Sequence, residues 1–124
     1  FGRPSTKPAR RVGERVSDFG FDQQGRVFLD DERTTPAGWI RVYWPSEAIA
    51  LLKTGAVEEL SLDHDLGDDE RGTGYDVVLW IEEAVALHQF NPPKITVHSA
   101  NSSAREKMLA GIRSIEQLAS LNGR

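Results

Sequence analysis

The sequence predicts an α/β domain built on a mostly parallel sheet of about four strands, and three observations carry that expectation. Short apolar runs, RVFL, IRVYW, LSL and KITV, alternate for the most part with helix-length segments, the order of βαβ units with right-handed crossovers. Polar clusters follow three of the runs: Asp30/Asp31, Asp63/His64/Asp65 and His98/Ser99. Finally, 124 residues with 39% apolar content suffice for one buried core and fall short of two. Residues 1–18 read as a basic N-terminal arm and 19–124 as the domain.

A short hairpin is expected around Phe19 to Arg26, with a turn at Asp22 to Gly25. The first strand, Arg26 to Leu29, runs into Asp30, Asp31 and Glu32. TTPAGW is too short for a full helix, so a loop should lead to the second strand, Ile40 to Trp44. Pro45 and Ser46 open a helix through about Thr54, with Glu47 in its first turn and Gly55 as its stop. A third strand, Leu60 to Leu62, ends in DHDLGDDERGTG. The next helix runs from about Tyr75 to Gln89 and buries Val77, Ile81, Ala84 and Val85; Asn91, Pro92 and Pro93 end it. Lys94 to Val97 form a fourth strand. Ser102 or Ser103 should cap the last helix, where Ser103 and Glu106 have capping-box spacing and Met108, Ile112, Ile115 and Ala119 form the apolar stripe.

Composition narrows the function. With no cysteine, disulfide scaffolds and thiolate metal sites are excluded, leaving His, Asp and Glu as the strong candidate ligands. No apolar run approaches the roughly 18–20 residues of a membrane span, and the opening residues have no secretory pattern, so a cytoplasmic protein is expected. The net charge of −4 hides an asymmetry. Residues 1–26 hold six Lys/Arg and three Asp/Glu, a balance of +3; residues 27–124 hold nine and sixteen, a balance of −7. A basic arm of this kind either contacts a polyanion or is plain solvated chain. In open parallel sheets ligands gather beyond the carboxyl ends of the strands. All three polar clusters fall there.

At these residues the sequence resembles the receiver domain of bacterial response regulators, a flavodoxin-like fold. Asp30 and Asp31 match its acidic pair, Asp63 its phospho-acceptor, Gly74 its loop glycine, and Ser99 and Ala100 its Ser/Thr-Ala dipeptide. Three features depart: the first helix is missing, the chain stops before a fifth strand, and the lysine that grips phosphate is absent. LDDER, LSLDHDLG, GTGYDVVLWIEEA and ITVHSAN, with their added histidines, are more similar to the cyclic-phosphate processing receiver domain over roughly residues 26 to 118. The resemblance implies a receiver-like fold that acts on, or senses, cyclic phosphates such as RNA 2′,3′-cyclic ends or related nucleotides.

Beside it stands the chemistry of the residues. Asp30, Asp31 and Asp63 would bring several negative charges together, which calls for a divalent cation or a shared proton; Mg²⁺ or another divalent ion is expected. Asp31 and Asp63 are the preferred ligands, because adjacent strand-end residues face opposite ways. The run from Asp63 fails as an EF-hand loop, with Gly67, Asp68 and Gly74 where Asp/Asn, Gly and Glu are required. Asp68 to Arg71 read as a solvated loop. Opening a cyclic phosphate needs a base for water and an acid for the leaving oxygen, and His64 and His98 could supply both. Ser99, Asn101 and the first amides of the last helix suggest an anion cradle. Arg33 or Arg105 could replace the missing lysine, and Gly74 would admit a phosphate close to the backbone. His88 reads as a surface residue; Trp39 is the tryptophan best placed to stack on a base. The alternative to a metal-assisted phosphoesterase or binder is a signalling module, phosphorylated on Asp63 or bound to a protein partner.

Overall fold

The structure, a computed structural model, describes residues 25–122; the expected basic arm and most of the hairpin lie outside them. Four strands, β1 (Arg26–Leu29), β2 (Ile40–Val42), β3 (Glu59–Leu62) and β4 (Lys94–Val97), form one sheet in the order β2-β1-β3-β4. Every pairing is parallel. Helices α1 (Pro45–Leu52), α2 (Gly74–His88) and α3 (Ser102–Asn122) complete the fold, with a 3-10 turn at Asp69–Arg71. This is a receiver-like α/β architecture, and it joins β1 to β2 by a loop, as the short TTPAGW connection predicts. No helix among the described residues is long and apolar enough to cross a membrane.

Register explains how four short strands divide their residues between two faces. Val27, Leu60 and Ile95 align in one row and Leu29, Leu62 and Val97 in another, with Ile40 beside Val27 and Val42 beside Leu29. These rows join the single core cluster, to which α1 gives Ala48 and Leu52, α2 Val77, Val78, Ile81 and Val85, and α3 Met108, Ile112 and Ile115. At about 1.5–3 kcal/mol for each large apolar side chain buried, this one layer dominates stability. The alternate rows, Arg26–Glu59–Lys94 and Arg41–Phe28–Ser61–Thr96, belong to the other face. Parallel strands buried on both faces read as continuous apolar runs. ELSL and KITV alternate instead, because their second face is polar.

Helix ends differ from expectation in instructive ways. The second strand stops at Val42, since Trp44 is already the residue that caps α1 ahead of Pro45. Thr73 caps α2 in a capping box with Asp76. The last helix is capped by Asn101 rather than Ser102 or Ser103: its Oδ1 accepts the Ala104 N–H at 3.1 Å and the Ser103 hydroxyl at 3.2 Å. An Asn one residue earlier outcompetes the serines because its amide oxygen reaches the third helical N–H.

Candidate functional site

The chain leaves β1 for β2 on one side of the sheet and reaches β4 from β3 on the other, so the strand order reverses between β1 and β3. The ends of those two strands carry Asp30 and Asp63. A cleft of about 330 Å³ opens there, lined by Asp30, Asp31, Glu32, Arg33, Asp63, Asp65, Gly67 and Ala100. That volume lies at the lower end for small-molecule sites. Five carboxylates face one guanidinium. Gly67, at φ +94°, adopts a conformation open to glycine, and a Cβ there would stand 3.2 Å from Asp31 Oδ2.

Asp30 is fully buried. Its Oδ1 accepts the Glu32 and Arg33 N–H groups at 2.7 and 2.9 Å, and its Oδ2 faces His98 Nε2 at 2.9 Å. Burial pushes this carboxyl up, but the Arg33 and Glu32 amides, with His98, outweigh it and hold Asp30 below its ordinary 3.8. Arg41 braces the same residue, donating from Nη1 to the Asp30 carbonyl at 2.7 Å and from Nε to Thr35 Oγ1 at 2.8 Å. Asp63 lies the other way. Burial and the charge of Asp30 raise its carboxyl, only partly offset by the His64 amide at 2.8 Å, by His98 and by the Ser99 hydroxyl.

The two histidines hold different positions. His98 is stacked flat on Phe28, with centroids 4.5 Å apart and planes at 4°, and both ring nitrogens are engaged: Nε2 with Asp30 and Nδ1 with Ser61 Oγ at 2.7 Å. A carboxylate only accepts, so Nε2 carries the proton. His64 is bonded through Nδ1 to Asp65 Oδ1 at 2.8 Å, and no partner of its Nε2 is found among the described residues. Asp65 lines the cleft, and its other oxygen lies 3.5 Å from Asn101 Nδ2.

Of the residues the sequence singled out, Asp30, Asp31, Asp63 and Arg33 meet in the cleft. Asp30, not the preferred Asp31, is the buried one, because it continues the Phe28 side of β1 while Leu29 faces the core. Ser99 is buried, and its hydroxyl oxygen accepts the Asn101 N–H at 3.1 Å. Asn101 spends its oxygen on the helix cap. The expected anion cradle is therefore occupied by the protein's own groups. Gly74 does not face the cleft either: it opens α2, donates its N–H to the His64 carbonyl at 3.1 Å, and a Cβ there would fall 2.0 Å from the Asp63 carbonyl oxygen. Glycine serves close packing of α2 on β3. Arg105 is exposed and lines no part of the cleft. His88 is exposed, and Trp39 packs edge-on against Phe28 at 6.4 Å. Ser61, Arg41 and the orienting role of Asp65 escaped the sequence reading; only the alternation in ELSL hinted at Ser61.

One ligand atom from each of Asp30, Asp63 and His98 lies within 4.8 Å of the others, a group able to hold a metal ion. The carboxylates fit an oxygen-preferring cation, with Asp31 lining the same cleft. His98 fits less well as a ligand, since its Nε2 proton is committed to Asp30. The comparison with known families agrees with this acidic strand-end geometry: the model of the cyclic-phosphate processing receiver domain matches residues 25–114. The chain belongs to that family. No curated protein and no solved structure matches it significantly. This receiver domain is thus associated with cyclic-phosphate processing.

Proposed function

We propose that the cleft is a divalent-cation-dependent phosphoesterase site that opens a cyclic phosphate on a nucleotide, such as the 2′,3′-cyclic end of an RNA. The observation that carries this reading is the charge of the cleft: a phosphate entering among Asp30, Asp31, Glu32, Asp63 and Asp65 is repelled unless a cation shares the site. Asp31 and Asp63, backed by Asp30, would hold Mg²⁺ or a similar ion, which when bound neutralises these charges and polarises a phosphoryl oxygen.

The chain's own groups supply the rest. Arg33, half-exposed with its Nε 3.7 Å from Asp30 Oδ2, binds the phosphate. Asp65 keeps the His64 proton on Nδ1, which leaves Nε2 as the atom that exchanges a proton with the reactants. A water oxygen attacks phosphorus and one ring P–O bond breaks; the water proton passes to His64 Nε2 and from there to the leaving ribose oxygen. His98, with both nitrogens engaged, holds Asp30 instead of moving protons.

Incubating the protein and Mg²⁺ with an RNA oligonucleotide that ends in a 2′,3′-cyclic phosphate tests the proposal. Conversion to a terminal monophosphate, lost with a chelator and in Asp63→Ala, is expected. An intact ring together with transfer of phosphate from a small acyl phosphate to Asp63 would instead make this a signalling module. Tight binding of the ring without turnover would make it a sensor.

A further inference from the structure

Asp30, which lines the cleft, is also one end of a chain of three side chains that runs across the sheet through His98 to Ser61. Ser61 sits in the middle of β3, 8% exposed, between the core residues Leu60 and Leu62 but on the opposite face. Its Oγ is 2.7 Å from His98 Nδ1, and His98 Nε2 is 2.9 Å from Asp30 Oδ2. We infer that Ser61 is a positioning residue, which fixes the ring orientation of His98 so that Asp30 is held in place at the cation site.

Because the Asp30 carboxylate only accepts, the His98 proton on that side must reside on Nε2. In the neutral ring Nδ1 is then a lone pair on a side chain 16% exposed, and Ser61 is the hydroxyl that donates to it. Phe28 fixes the ring plane by stacking but leaves the ring free to turn over within that plane. Ser61 removes that freedom, since a flipped ring would lose both hydrogen bonds. The strand register places Ser61 beside Phe28 and Thr96, two residues before His98 along β4. Outer partners of this kind typically tune metal affinity by 10- to 100-fold. The inference rests on the reading of the cleft as a cation site, while the state of the His98 ring can be measured without it.

Nitrogen-15 NMR of the imidazoles at one alkaline pH, with Mn²⁺ titrations of the same samples, decides the matter for wild type, Ser61→Ala and Ser61→Thr. Wild type should show His98 wholly protonated at Nε2. Ser61→Ala should leave the proton on Nε2 but let the ring take a second orientation, seen as doubled or broadened His98 signals, and weaken Mn²⁺ binding about tenfold, and Ser61→Thr, which restores the hydroxyl, should reverse both. A single sharp set of His98 signals and undiminished Mn²⁺ affinity in Ser61→Ala would overturn the role given to Ser61. Absence of Mn²⁺ binding by wild type would defeat the cation reading instead, with the ring-signal comparison still deciding whether Ser61 orients His98.

Discussion

Two Asp–His pairs flank the carboxyl edge of the sheet and use the same chemistry to opposite ends. Asp30 and His98 are sunk beneath the cleft: the aspartate is saturated by two amides and an imidazole, the imidazole by Asp30, Ser61 and Phe28. Asp65 and His64 sit at the rim, where the carboxylate is mostly exposed and one imidazole nitrogen has no partner among the described residues. Burial separates the two aspartates, 1% against 59% exposed, whereas the two rings, 16% and 20% exposed, differ in their hydrogen-bond partners. A histidine whose two nitrogens are committed can position a neighbour but cannot exchange a proton without breaking that arrangement; one with a free nitrogen can.

The comparison is sharpest where stability is measured. Asp30→Ala strips the acceptor from the Glu32 and Arg33 amides and from His98, and should lower unfolding free energy by about 3 kcal/mol in denaturant titrations. His98→Ala should cost about 2 kcal/mol, through the orphaned Asp30 and Ser61 groups and the lost stacking on Phe28. His64→Ala, at the rim, should leave stability within about 0.5 kcal/mol. Equal losses in the two histidine variants would erase the distinction.

Acidity divides Asp30 from Asp63 in the same way, and the signs differ. Asp30 titrates below its ordinary 3.8 when folded, so its contribution is present above pH 3.8 and disappears as pH falls through the lower folded value. Asp63 titrates above 3.8 when folded, so its ionisation subtracts stability as pH rises from 3.8 through the raised value. Asp63→Asn should therefore stabilise the cation-free protein at neutral pH, with the gain shrinking to nothing in acid, whereas Asp30→Asn should destabilise it at neutral pH. Thermal melts of both variants between pH 3 and 7 check the opposed trends. If Asp63→Asn instead destabilised the cation-free protein at neutral pH, burial and the repulsion from Asp30 would not be what governs Asp63.

Much of this arrangement was legible in the sequence. The alternation of strands and helices, the loop that replaces a first crossover, and the three polar clusters at strand ends all came from local pattern, and local pattern is what the chain preserved. What escaped depends on register and on competition between neighbours. Asp30 and Asp31 are equivalent as letters; only the packing of Val27 and Leu29 into the core turns Asp30 to the side of Phe28. Ser61 gains meaning when β4 is aligned beside β3 and brings His98 within reach. Gly74 read as a phosphate contact because a short spacing cannot reveal that the Asp63 carbonyl occupies the space a Cβ would need. Ser99 and Asn101 are phosphate-binding types placed at a helix start, yet the Asn101 N–H and the helix cap claim their side-chain oxygens first.

At the centre of the proposed reaction, His64 and not His98 is the histidine that handles protons. Mg²⁺-dependent ring opening by His64→Ala, measured on protein whose melting temperature matches wild type, tests it most directly. A fall in turnover of about 10²- to 10⁴-fold is predicted; turnover equal to wild type would contradict it.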